Sequence, residues 1–101
     1  MKLHAFTFLV PRKIVIDQPY TNLTLITGDA VIFTCVPDSE PPFNIKWRKE
    51  DSILSPQANN SLLLHVHSRN DSGRYECVAT SPRKEEVLAV DVVVLDRKSV
   101  V

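Results

Sequence analysis

Three groupings of side chains in this 101-residue chain have the types and spacing to do chemistry. His65 and His67 stand two apart, which on a strand sets both imidazoles on one face, a possible metal-ligand spacing. No cysteine or carboxylate pair completes that set, so solvent-facing or edge histidines are expected and no metal. Ser72, His67 and Asp71 are the residue types of a nucleophile, a base and its orienter. They fall in a turn whose composition already accounts for them, and such a trio can be picked from almost any chain. The third grouping is Cys35, Trp47 and Cys77, with Asp71-Ser72-Gly73-Arg74-Tyr75-Glu76-Cys77 running into the second cysteine. A glycine-rich phosphate loop is missing, because Gly28 and Gly73 each serve a turn. No catalytic residue, enzyme activity, cofactor or small-molecule substrate is therefore expected.

The elements that carry these residues are read from period-two alternation and turn residues. Ile14-Val15-Ile16 is a short strand broken by Asp17-Gln18-Pro19, since proline cannot donate to a central ladder. Leu23 and Leu25 alternate with threonines until Thr27-Gly28-Asp29 turns the chain. Val31, Phe33 and Cys35 then face one way while Ala30, Ile32 and Thr34 face the other. Pro37 to Pro42 holds three prolines in six residues and is a loop. Ile45 and Trp47 share a face of the next strand, with Lys46 and Arg48 opposite. Residues 49–60 are polar and turn-rich. Leu62, Leu64 and Val66 form another alternating strand, and Asn70-Asp71-Ser72-Gly73 a turn. Tyr75, Cys77 and Ala79 point inward, Thr80 to Glu85 make a polar hairpin loop, and Leu88, Val90, Val92 and Val94 line the last strand. About seven short strands with no helical period predict an all-β fold of two packed sheets.

Composition bounds the rest. One domain's worth of chain, 44% hydrophobic and 24% charged, is ordinary for a folded soluble protein. Twelve basic and twelve acidic residues cancel to a net charge of zero, so nothing recruits nucleic acid or an anionic membrane. No stretch approaches the roughly 18 to 20 apolar residues of a membrane span, and any anchor would lie outside this sequence. Residues 1–12 mimic the charged and apolar regions of a leader, yet their apolar run is short and no small-residue cleavage site follows. They are read as an N-terminal arm, an edge strand or a leader remnant, before a domain over 13–96 and a linker over 97–101.

From about Lys13 to Asp96 the chain resembles an immunoglobulin superfamily domain. The resemblance implies a two-sheet antiparallel sandwich in which Cys35 and Cys77 form one inter-sheet disulfide. Trp47 would pack on that disulfide, Leu64 would belong to the core, and Tyr75 would return its hydroxyl to backbone near Asp71. In such domains Asp71 commonly pairs with a basic residue at the base of the sandwich, Arg48 or another. A disulfide closing about 42 residues is worth roughly 4 kcal/mol in the chain-entropy model and persists only in an oxidising compartment. Muscle and cytoskeletal members of the superfamily keep these cysteines reduced. Three Asn-x-Ser/Thr sequons, at Asn22, Asn59 and Asn70, sit on expected surface and favour a secreted or cell-surface glycoprotein.

Trp47 to Leu62 spans 15 residues (62 minus 47), too few for the two additional strands of a variable domain. A compact C2-type or I-type geometry is expected, with at most one short strand inside 49–60. Ile16-Asp17-Gln18-Pro19-Tyr20 and Leu25 to Val31 resemble the opening of the first extracellular domains of Fc receptors and Fc-receptor-like proteins. Two departures stand against the wider pattern. His67 occupies a position usually small or aliphatic, and strand Ile45-Lys46-Trp47-Arg48 lacks the aromatic that often follows the tryptophan.

Function then falls to surface recognition. The loops around Pro37 to Phe43 and Thr80 to Glu86 should gather at one end of the sandwich. Pro41, Pro42, Phe43, Arg83 and Lys84 are the candidate partner-binding residues; Phe43 is either a loop contact or, the favoured reading, a core plug. A second possible surface is the outer sheet face bearing Lys46, Arg48, Arg74 and Glu76. The expected role is a non-catalytic extracellular module of a cell-surface immune-type receptor or adhesion protein, binding a protein ligand or neighbouring immunoglobulin-like domains. Homophilic adhesion and an intracellular structural module of a muscle or cytoskeletal protein are the alternatives.

Overall fold

A computed structural model of the chain describes residues 10–38, 40–54 and 60–97. Its strands are β1 (Arg12–Ile16), β2 (Tyr20–Ile26), β3 (Ala30–Cys35), β4 (Asn44–Lys49), β5 (Ser52–Leu54), β6 (Ser61–His65), β7 (Gly73–Thr80) and β8 (Glu85–Leu95). One short 3-10 helix, Arg69–Asp71, precedes β7. The strands form two sheets, ordered β1-β3-β6 and β2-β8-β7-β4-β5. The expected all-β, two-sheet sandwich is what the chain builds. β5, the one strand described between β4 and β6, extends the larger sheet by pairing with β4.

Alternation decides which face each strand buries. Val31, Phe33 and Cys35 of β3 are at most 1% exposed, and Leu88, Val90, Val92 and Val94 of β8 at most 3%. Trp47 of β4 and Tyr75 and Cys77 of β7 complete one continuous core with Ile16, Leu25, Leu62 and Val66. Leu64 is half-buried and packs against that core from its edge. Phe33 bridges the aromatic centre, its ring 6.5 Å from Trp47 and 6.0 Å from Tyr75. The Trp47 indole N–H has no acceptor among the described residues. An unpaired buried donor costs about 1–3 kcal/mol, which burial of so large a ring offsets.

Most ladders are antiparallel, as the resemblance implies, but two at the margins are parallel. β2 runs alongside β8 with Tyr20 opposite Ala89 and Ile26 opposite Leu95. β1 runs in the direction of β3, Arg12 opposite Val31 and Ile16 opposite Cys35. The chain then reverses through Asp17-Gln18-Pro19, changes sheets and descends as β2. Proline at the reversal is consistent with this, since Pro19 offers only its carbonyl, which accepts from Ala89 N–H at 2.9 Å.

Candidate functional site

The scaffold comes first, because it positions everything else. Cys35 and Cys77 are joined by a disulfide that ties the β1-β3-β6 sheet to the larger one. Trp47 lies directly opposite Cys77 on the adjacent strand. Tyr75 Oη donates to the Asp71 carbonyl at 2.6 Å, the return to backbone that the resemblance implies.

Of the basic residues left open as neighbours of Asp71, Lys49 and not Arg48 is the one that acts on it. Arg48 is not its partner: the Arg48 guanidinium pairs with Glu76 across β4 and β7 at 2.6 Å. The Asp71 carboxylate instead accepts backbone N–H groups of His67 at 2.7 Å and Ser68 at 3.2 Å, closing a capping box with Ser68 on the 3-10 helix. Burial acts to raise its pKa, but those two N–H bonds, with Lys49 and His67 nearby, carry the net shift downward. Lys49 is the basic neighbour, and its ammonium binds the Asn70 carbonyl at 2.9 Å. The signal for this arrangement, Ser68-x-x-Asp71, was present in the sequence.

The groups with catalytic or metal-binding types have structural duties. Ser72 Oγ accepts the Val94 N–H at 2.9 Å, binding the turn to β8. His65 and His67 stack with ring centroids 6.2 Å apart on the exposed side of β6 and the turn after it. Among the described residues no group of three or more potential ligands gathers.

At one pole the loops between β3 and β4 and between β7 and β8 meet. Asp38 N–H donates to both Glu86 carboxylate oxygens, at 3.1 and 3.0 Å, tying the first loop to the start of β8 beside the second. Ser81 N–H and Oγ both bind the Lys84 carbonyl, at 2.9 and 3.1 Å, which closes a tight tip around Pro82 and Arg83. An open groove of about 550 Å³ runs between them, with Asp38, Glu40, Pro41 and Pro42 on one wall and Ser81, Pro82, Arg83 and Lys84 on the other. Pro41, Pro42, Pro82, Arg83 and Lys84 are all exposed. Phe43 does not line this groove; it is half-buried outside the continuous core, in a separate hollow with Asn44, Ile45 and Asn60. It is thus neither a plug in that core nor a free loop tip. Sequence reasoning missed a third loop here. Because β1 runs with β3, the exposed Asp17-Gln18-Pro19 reversal also reaches this pole, as Val36 N–H to the Ile16 carbonyl at 2.9 Å marks.

On the outer face of the larger sheet Lys46 is exposed, while the other charges are tied across strands. Arg74 binds Asp91 at 2.7 and 3.0 Å, and its guanidinium lies 5.6 Å from the centre of the Tyr20 ring. The hydrogen bond to Asp91, with its charge, raises the Arg74 pKa, and the bond to Arg74 lowers that of Asp91. Of the sequon asparagines, Asn22 and Asn70 are exposed, and Asn59 lies outside the described residues.

Comparison with known proteins agrees with this architecture. The family model "Immunoglobulin domain" matches residues 13–94. Nephrin of Rattus norvegicus is 34% identical over an alignment covering 76% of this chain and 8% of that protein. Neuronal-glial cell adhesion molecule of Gallus gallus is 30% identical over 72% of this chain and 6% of that protein. The chain thus spans less than a tenth of the length of either relative. A chain in the crystal structure of a titin and obscurin-like 1 Ig complex superposes with a TM-score of 0.63 at 27% identity, covering 80% of this chain and 91% of that one. With its disulfide-linked sandwich and a family match over most of its length, the chain belongs to the immunoglobulin domain family.

Proposed function

We propose that this domain is an extracellular protein-recognition module of a cell-surface adhesion or receptor protein, and that it meets its partner at the pole where the 36–43 and 81–84 loops converge. The observation that carries the reading is the groove between those loops, where exposed prolines face exposed Arg83 and Lys84. Prolines and a hydrogen-bonded tip lose little freedom on binding, and arginine is enriched among residues that dominate binding energy. On the outer sheet face, by contrast, Arg48 and Arg74 are already paired. An open, mixed-charge groove suits a protein surface better than an enclosed small molecule.

The extracellular address is supported by the Cys35–Cys77 disulfide, by exposed Asn22 and Asn70, and by likeness to a protein named as a cell adhesion molecule. The folded unit is taken as 13–96, with residues 1–12 an N-terminal arm, an edge strand or a leader remnant and 97–101 a linker. The narrower likeness to Fc-receptor first domains rests on residues 16–20 and 25–31 and on the length and composition of the short run from Trp47 to Leu62. A structural role inside muscle or cytoskeleton is the second reading, favoured by likeness to the titin and obscurin-like 1 complex.

The test displays the domain in multivalent form on beads and measures binding to one another and to cells presenting a panel of receptor ectodomains. Arg83→Glu with Lys84→Glu is expected to weaken heterophilic capture by about tenfold or more while the melting temperature holds. Unaltered capture removes this pole from consideration. Bead clumping without cell capture points to homophilic adhesion. Two free thiols in the native parent protein point to the cytoplasmic reading.

A further inference from the structure

The outer face at β2 carries a patch that partner binding leaves unexplained. Tyr20, Asn22 and Thr24 alternate along that strand and are all exposed, whereas Leu23 packs against the core and Leu25 is buried. Side chains two apart on a strand share a face at a spacing of about 7 Å. Asn22 and Thr24 are the amide and the hydroxyl of a sequon, and both therefore point to solvent from the same row. Tyr20 precedes them in that row, its large side chain 70% exposed. Opposite Tyr20 stands small Ala89, and opposite Asn22 stands Asp91, which holds Arg74. Arg74 steadies one side of the Tyr20 ring and leaves the rest uncovered.

We propose that Asn22 carries an N-linked glycan whose first sugar packs on the Tyr20 ring, with the Asp91–Arg74 pair offering an acceptor and donors to sugar hydroxyls. A pyranose presents C–H groups on one face and hydroxyls around its rim, which matches an aromatic plane beside an ion pair. The donor is a polyisoprenyl-diphosphate oligosaccharide. Its anomeric carbon bonds to Nδ2 of Asn22, its C–O bond to the diphosphate breaks with the electron pair leaving on the diphosphate, and one amide proton passes to a base. The Asn70 sequon is built differently: its Ser72 hydroxyl is committed to the Val94 N–H and the Asn70 carbonyl to Lys49.

A glycan there has a consequence for recognition. Thr24 pairs with Val93, which is 53% exposed on the same side of β8. A bulky sugar chain covers this ground and withdraws the outer face of β2, β8 and β7 from partner contact. The proposal rests on the extracellular reading above.

To test it apart from that reading, the domain is secreted from mammalian cells behind a heterologous leader, and occupancy at each asparagine is measured by peptide mass. Wild type, Tyr20→Ala, Thr24→Ala and the double variant are then melted, with unglycosylated bacterial versions as controls and Tyr20→Leu in reserve should Tyr20→Ala fold poorly. Asn22 is expected to be occupied, and its glycan to raise the melting temperature by roughly 3 °C with Tyr20 present and by much less without it. An empty Asn22, or an equal glycan effect with and without Tyr20, overturns the proposal. Neither result touches the extracellular reading, which is judged on the parent protein by surface labelling and thiol state.

Discussion

The hydroxyl of Tyr75 reaches over four residues to the backbone carbonyl of Asp71 at 2.6 Å, and so fastens β7 to the turn that feeds it. Tyr75→Phe keeps the ring in the core and deletes only that bond. The expected loss is about 1–1.5 kcal/mol in chemical denaturation, with the fold retained.

The same hydroxyl makes stability sensitive to alkali. Burial, then the charges of Asp71 and Glu50, push its pKa up to about 12. An unfolded tyrosine titrates near about 10, so the folded value is the higher one. Its contribution is fully present below about pH 10 and is lost as pH rises toward 12, to a limit of about 2–3 kcal/mol. A denaturation series in that window should show the slope in wild type and its disappearance in Tyr75→Phe.

Asp71 acts at the other end of the scale. Its folded pKa is lowered, so its contribution is present above the unfolded value of about 3.9 and fades as pH falls through the folded one. Asp71→Ala removes a cap for two backbone N–H groups and is expected to cost about 1–2 kcal/mol at neutral pH. The variant should also unfold in acid with a flatter profile than wild type.

Removing the disulfide is the largest single change expected. Cys35→Ala with Cys77→Ala frees a 42-residue separation, worth about 4 kcal/mol in the chain-entropy model. A fall of that size in unfolding free energy, read from urea titration, checks it.

Gly73 answers for the Asp-Ser-Gly turn. Its φ is +140°, and an added Cβ would lie 3.1 Å from Lys49 Cε. Gly73→Ala is expected to cost about 1–2 kcal/mol, measured in the same titration.

The sequence made the sandwich legible because burial alternates: Val31, Phe33 and Cys35 inward, Lys46 and Arg48 outward, Leu88 to Val94 inward at every second place. Alternation reports which face a residue takes and is silent on strand direction. For that reason the parallel run of β1 along β3, and the arrival of Asp17-Gln18-Pro19 beside the other loops, had no signature. Asp71 was placed correctly at the turn, but its partners are backbone groups, which every residue carries and no side-chain pattern advertises. The two binding-loop segments were legible from their prolines and from hairpin spacing. The tie from Asp38 to Glu86 was not, since it spans 48 residues.

The direction of β1 also fixes which tip of the sandwich it starts from. Arg12 starts beside Val31, and at that same end Thr27 binds both Leu95 and Arg97. Arg12 and Leu95 are therefore neighbours at one tip, while Pro41, Pro42 and Arg83 stand at the far tip. The first strand opens and the last one closes a full strand length from the groove, so neither of those strand ends crowds it.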